Sequence, residues 1–122
     1  MQRLTCAVVG RDVPPIEGGG HFLQEDRGPE LAAVVVEPVA GNMGVVPPAP
    51  GFLETLRALC DASGALLVFD EVICGFGRTG EWFGAQTFGV TPDLITFAKG
   101  VTSGYLPLSG VIVSRAVCEE LE

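Results

Sequence analysis

Three stretches of this chain are apolar at nearly every position, and each ends on a charged residue. LAAVVVEPV, from Leu31, is halted by Glu37 and Pro38; ALLVFD at 65–70 ends on Asp70; DLITFAKG at 93–100 carries Lys99 near its end. Short valine- and leucine-rich runs of this kind predict strands buried on both faces, and proline halts the first because it cannot donate to a central ladder. SGVIVSR at 109–115 predicts a fourth strand. Between the first two strands, PGFLETLRALCDASG sets Phe52, Leu53, Leu56, Leu59 and Cys60 at helical spacing, with Pro50 suited to the first turn and Gly64 to the stop. RAVCEELE begins another helix, with Ser114 as its cap. In EWFGAQTFG, Gly84 and Gly89 break the pattern and leave room for a short helix only. The order β, α, β, short helix, β, β, α predicts an α/β fold: a mostly parallel sheet with flanking helices.

The inventory does not balance. Strands apolar on both faces need helices above and below, yet only residues 50–63 make a long helix. A slice of a larger sheet carries such a surplus, and so does a chain whose strands pack on a partner. Residues 1–30 read differently, with Pro14-Pro15, three glycines at 18–20 and the charged stretch QEDRGPE. They predict an irregular arm without recognisable function, which leaves 31–122 as the folded part.

Composition removes several functions. Seven Lys plus Arg against fifteen Asp plus Glu leave a net charge of -8, so the surface repels phosphate backbones and anionic lipid; no nucleic acid and no membrane are expected as partners. No apolar run reaches the roughly 18 residues that span a bilayer, and the four apolar residues of CAVV are too short for a signal peptide. A cytoplasmic address follows. Cys6, Cys60, Cys74 and Cys118 form no CxxC pair, and His21 is the one histidine; no metal site is predicted, and the thiols are expected mostly as small core residues.

GFGRTG at 75–80 matches G-x-G-x-x-G literally. A dinucleotide site needs the first glycine at a strand end, a long helix at the third, and an acid at the tip of the next strand. Here five residues separate Asp70 from Gly75, the following helix is short, and Asp93 begins a strand. The match lacks its structural context.

Asp70 and Lys99 are more informative. Both end apolar strands at the carboxyl edge of the sheet, where open α/β sheets place ligands. An acid and an amine held there form either a plain ion pair or the two ends of a cofactor site. Pyridoxal 5'-phosphate asks for such a pair, an amine for its aldehyde and a carboxylate for its pyridine nitrogen. Val72 can lie against a ring face or simply pack. Glu71 points away from Asp70, as neighbours on extended backbone do. Glu37, at the same edge, is expected to pair with an arginine or backbone amides. Trp82, Phe83 and Tyr105 either line a channel or belong to core and interface.

The long motif VVVEPVAGNMGVVPP, then LLVFDEVICGFGRTGEWFG, then GVTPDLITFAKGVTSGYLPLSGV resembles the class III aminotransferases, pyridoxal-phosphate enzymes of fold type I. The likeness runs from about Leu31 to Val117. It implies that Lys99 is the Schiff-base lysine, Asp70 the pyridinium partner and Val72 the residue packed on the ring. The implied activity is transfer of an amino group between an amine or amino acid and a 2-oxo acid, in a full-length enzyme that is a homodimer. GNMGVVPPAPGFLE is closer to glutamate-1-semialdehyde aminomutase, whereas DEVICGFGRTGEWFG and VTSGYLP are closer to the omega-aminotransferases. The phosphate-binding loop, the stacking aromatic and the substrate arginine of the family have no counterpart here. The chain is therefore expected to be a central fragment of the large domain, inactive alone, and a truncated, inactive relic is the competing expectation.

Overall fold

A computed structural model of the chain describes residues 33–119. The arm at 1–30, with His21 and Cys6, lies outside the described residues, as do Leu31 and Ala32 of the first apolar run and the last three residues.

Four strands form one sheet in chain order: β1 (Ala33–Val36), β2 (Leu66–Asp70), β3 (Leu94–Phe97) and β4 (Gly110–Val113). β1 pairs with β2 and β2 with β3 in parallel, and β4 closes antiparallel on β3. The α/β expectation with a mostly parallel sheet is met. Among the described residues there are three α-helices, α1 (Phe52–Ser63) between β1 and β2, α2 (Gly84–Phe88) between β2 and β3, and α3 (Arg115–Glu119) after β4. α1 begins two residues later than the expected start at Pro50. Gly51, with φ 79°, is its N-cap, and Pro50 stands outside the first turn. Gly64 ends the helix in the left-handed region at φ 72°, as its position predicts. In α3 the Ser114 hydroxyl accepts from the Val117 N–H at 3.4 Å, which is the expected cap. Gly84 and Gly89 bound α2 instead of breaking it, the second as a left-handed C-cap.

The core lies on one face of the sheet. Val34, Val36, Leu67 and Phe69 point to the same side and are buried against Leu53 and Cys60 of α1 and against Val90. The expectation that the strands are buried on both faces fails among the described residues. Burial alternates along β1 and β2, Leu66 is exposed, and β4 exposes Val111, Ile112 and Val113 in succession. The physical reason is the one helix long enough to cover a sheet face: α1 takes one side, and no described element of comparable length takes the other.

At the amino edge of the strands, Asp93 ties three elements together. Its carboxylate accepts from the Leu67 N–H at 2.7 Å and from the Arg57 guanidinium at 2.8 Å, and its own N–H donates to the Leu67 carbonyl at 2.8 Å. Asp61 engages the other arm of Arg57 at 2.7 Å. Helix α1 is thereby fixed on the start of β2 and β3. An acid that opens a strand is spent on structure here, which explains in physical terms why no nucleotide fingerprint completes itself at Asp93.

Candidate functional site

The carboxyl edge is built from the loops after β2 and β3. Asp70 is the last residue of β2 and pairs in register with Thr96. Its Oδ1 accepts from the Val72 N–H at 3.1 Å and from the Thr96 hydroxyl at 3.3 Å. Oδ2 accepts nothing among the described residues, so one carboxylate oxygen is anchored and the other is available. Val72 is half-buried and helps orient Asp70 through its backbone.

Glu71 is fully buried beside it. Its two oxygens accept from the N–H groups of Gly84 and Ala85, both at 2.7 Å. Phe83, the N-cap of α2, has no side-chain acceptor to offer. Glu71 supplies that acceptor from the end of β2, and Gln86 Oε1 takes the Phe83 N–H at 3.1 Å. The backbones approach closely: a Cβ on Gly84 would stand 3.0 Å from Pro38 and 3.1 Å from Glu71 Oε2. Burial pushes the Glu71 carboxyl above its ordinary range, against the opposing pull of the two N–H donors. The sequence reading placed Glu71 correctly on the side away from Asp70 but missed its task. The signal was a helix start at 84 with no Ser, Thr, Asp or Asn to cap it.

Glu37 behaves as expected of a carboxylate serving backbone amides. It accepts from the Gly41 N–H at 2.8 Å at the start of a short 3-10 turn. Cys74 donates to the Val39 carbonyl at 3.3 Å, and burial raises its thiol pKa. Cys60 and Cys74 are the core thiols expected, while Cys118 is exposed. Trp82 and Tyr105 are 67% and 88% exposed, so neither belongs to the core of the described residues.

The loop after β2 folds back on itself. The Phe76 N–H donates to the Trp82 carbonyl at 2.6 Å, and the Phe76 ring meets Phe83 and Phe97 edge-on at centroid distances of 5.4 and 5.7 Å. The loop after β3 lies against it: a Cβ on Gly100 would come within 2.9 Å of Phe76 Cβ, so only glycine allows the contact. Between the two loops opens a cleft of about 540 Å³ lined by Phe76, Gly77, Arg78, Lys99, Gly100, Ser103 and Gly104. Phe76, Lys99 and Ser103 all carry positive φ, at 62°, 45° and 53°. Non-glycine residues in that region cost free energy and persist where packing enforces them, often at functional sites.

Lys99 follows β3 by two residues, lies exposed in this cleft, and makes no ion pair or hydrogen bond among the described residues. Asp70 and Val72 do not line the cleft. Asp70 and Lys99 thus share the carboxyl edge of adjacent parallel strands and are not paired with each other, which removes the plain ion pair as an account of their placement.

Among the described residues no helix is long and apolar enough to cross a membrane, and no group of three or more His, Cys, Asp or Glu side chains is placed to hold a metal ion.

The chain matches the family model Aminotransferase class-III over residues 20–122. It is 50% identical over 91 residues to the taurine–pyruvate aminotransferase of Bilophila wadsworthia, covering 75% of this chain and 20% of that protein. To the omega-aminotransferase of Caulobacter vibrioides it is 54% identical over 91 residues, covering 75% and 21%. Its structure resembles that of the taurine:2-oxoglutarate aminotransferase from Bifidobacterium kashiwanohense in complex with PLP and glutamate. There the TM-score is 0.77 and the identity 48%, over 81% of this chain and 22% of the other. The chain spans about a fifth of the length of the relatives it matches.

Proposed function

The chain belongs to the class-III aminotransferases, a pyridoxal-phosphate-dependent family, and on that premise we propose that it forms the cofactor-bearing centre of a transaminase. The reaction is exchange of an amino group between an amine or amino acid and a 2-oxo acid. In this reading residues 31–122 are part of the cofactor-binding large domain, and the whole protein works as a homodimer in the cytoplasm. The thiols at Cys74 and Cys118 accord with a reducing setting. Relatives named as transaminases favour this over an aminomutase, for which no named relative speaks.

One observation carries the reading. Among the described residues an amine without a partner, Lys99, and a carboxylate with one anchored and one available oxygen, Asp70, end adjacent parallel strands. This donor set fits the cofactor's chemistry at both ends of its ring. When bound, the cofactor supplies an aldehyde that condenses with an amine and a ring that accepts an electron pair from the substrate carbon. Lys99 Nζ is the amine that would hold the aldehyde, and it would carry the proton from the substrate carbon. Asp70 Oδ2 would serve the pyridine nitrogen and favour its protonated form, while Thr96 and the Val72 N–H hold Oδ1 and so fix the carboxylate. The Val72 side chain would pack on the ring.

The test is borohydride reduction of the whole protein with pyridoxal phosphate, followed by peptide mapping. Lys99 is the one lysine of these 122 residues, so an adduct here has a single address. Labelling on a lysine outside this segment alone would overturn the assignment.

A further inference from the structure

Lys99 stands on a backbone that its own residue type disfavours. Its φ of 45° lies in the left-handed region, which costs a residue with a Cβ free energy that glycine is spared. It opens the 3-10 turn Lys99–Thr102, one residue beyond the end of β3. The turn does little to hold itself. The Val101 N–H reaches the Ala98 carbonyl at 3.4 Å and the Ser103 N–H reaches the Gly100 carbonyl at 3.2 Å, at or beyond the long end of ordinary N–H···O bonds. Packing has to supply the restraint.

One side chain supplies it on both flanks of the lysine. Two positions before Lys99, the ring of Phe97 meets the ring of Phe76 edge-on at a centroid distance of 5.7 Å. One position after it, Gly100 lies so close to Phe76 that an added Cβ would stand 2.9 Å from the Phe76 Cβ and 3.2 Å from its Cδ2. Phe76 is itself held, by the ring of Phe83 at 5.4 Å and by its own N–H, which donates to the Trp82 carbonyl at 2.6 Å. Phe97 is backed from β4: it pairs in register with Gly110, where a Cβ would stand 2.5 Å from the Phe97 Cζ. The residues on either side of Lys99 are thus fixed through contacts that meet at Phe76.

We propose that Phe76 is the positioning residue of Lys99: its side chain grips the chain on both flanks of the lysine and so fixes the point from which Nζ extends. The proposal rests on the reading of Lys99 as the reacting amine. Phe76 handles no proton and contacts no substrate in it. A reacting group displaced by about 1 Å can lose about 100-fold in rate, so loosening the grip slows the chemical step more than it weakens substrate binding.

The experiment compares wild type, Phe76→Ala, Phe76→Leu, Gly100→Ala and Leu53→Ala in the whole protein. Leu53, buried in the core under α1 and away from the cleft, is the control for lost stability. In cofactor-free protein, amide hydrogen exchange over residues 99–103 reads the grip directly. It should quicken about tenfold or more in Phe76→Ala and Gly100→Ala, less in Phe76→Leu, which keeps an apolar side chain against Phe97, and not in Leu53→Ala. Gly100→Ala attacks the same grip with the Phe76 ring intact, so the test decides even where Phe76→Ala does not fold. In the loaded enzyme kcat should fall about 10- to 100-fold in Phe76→Ala and Gly100→Ala with KM changed less than about threefold, recover in large part in Phe76→Leu, and stay near wild type in Leu53→Ala. Unchanged exchange or unchanged kcat in the first two variants overturns the proposal. An equal loss of kcat in Leu53→Ala overturns it too, by tracing the effect to stability, as does a Phe76→Leu variant that exchanges like wild type yet turns over as slowly as Phe76→Ala, by making the ring a contact of the reacting molecules. If wild type takes up no pyridoxal phosphate on Lys99, the transaminase reading fails, and the exchange alone decides whether Phe76 grips the turn.

Discussion

The two edges of one sheet treat the same kind of residue in opposite ways. At the amino edge Asp93 is used up: the Leu67 N–H and the Arg57 guanidinium occupy its carboxylate, and three elements are locked together. At the carboxyl edge, on the strand beside it, Asp70 has one oxygen held by Val72 and Thr96, and among the described residues its other oxygen is available and Lys99 stands without a partner. The amino edge also keeps ordinary backbone in these residues, whereas the carboxyl edge holds Phe76, Lys99 and Ser103 at positive φ. Saturated polar groups mark where the fold is secured. Unsaturated ones, held in place at a conformational cost, mark where a ligand completes the structure.

The comparison breaks most visibly at Lys99. Lys99→Gly in the whole protein should lower transamination by about 10²- to 10⁴-fold, the usual range for removing a proton-transfer group. The melting temperature should hold or rise, because glycine adopts the left-handed backbone of this position without the steric cost. A fall in melting temperature that accounts for the lost activity would place Lys99 with the structural residues. Asp70→Asn should come next. An opposite charge in contact shifts a partner's pKa by about 1 to 3 units, which corresponds to roughly 10- to 1000-fold in protonation of the pyridine nitrogen. Turnover should fall within that span with the cofactor still bound. Near-wild-type turnover would make Asp70 a purely structural twin of Asp93.

At the amino edge the same chemistry should read out as stability. Asp93→Ala orphans the Leu67 N–H and leaves the Arg57 guanidinium with Asp61 as its one acidic partner; the Arg57 and Asp93 side chains are only 20% and 24% exposed. A loss of about 2–3 kcal/mol in urea unfolding is expected, with the kcat of the remaining folded protein little changed. A variant that keeps its stability and loses kcat would reverse the assignment of the two edges.

Much of this division was legible in the sequence, for identifiable reasons. Apolar runs that stop on Asp70 and Lys99 announce strand ends directly, and the helix over α1 announces itself by spacing and by Gly64. What was not legible arises from contacts between distant segments. Burial on both faces was inferred from the composition of single strands, but whether a face is covered depends on which helices exist, and among the described residues only α1 is long enough. Glu71 was similarly hidden: its partners at Gly84 and Ala85 lie thirteen and fourteen positions away.

Glu71 offers the smallest and most discriminating effect. It sits at the carboxyl edge yet is saturated like Asp93, so it should behave as a stability residue with a pH signature of its own. Burial raises its folded-state pKa above the ordinary glutamate value, the two backbone donors only partly offsetting this. The folded protein therefore binds the Glu71 proton more tightly than the unfolded chain. Its contribution to stability is complete below the unfolded-state pKa and is lost as pH rises through the folded-state pKa. Glu71→Gln cannot ionise, so its stability should lack this decline. Plotted against pH, the stability difference, wild type minus variant, should fall on leaving the acid range and level off once Glu71 is ionised in both states. Chemical unfolding of the whole protein at a series of pH values measures it. A difference that grows with pH would mean that the N–H donors of Gly84 and Ala85 outweigh burial, and would make Glu71 an anionic helix cap.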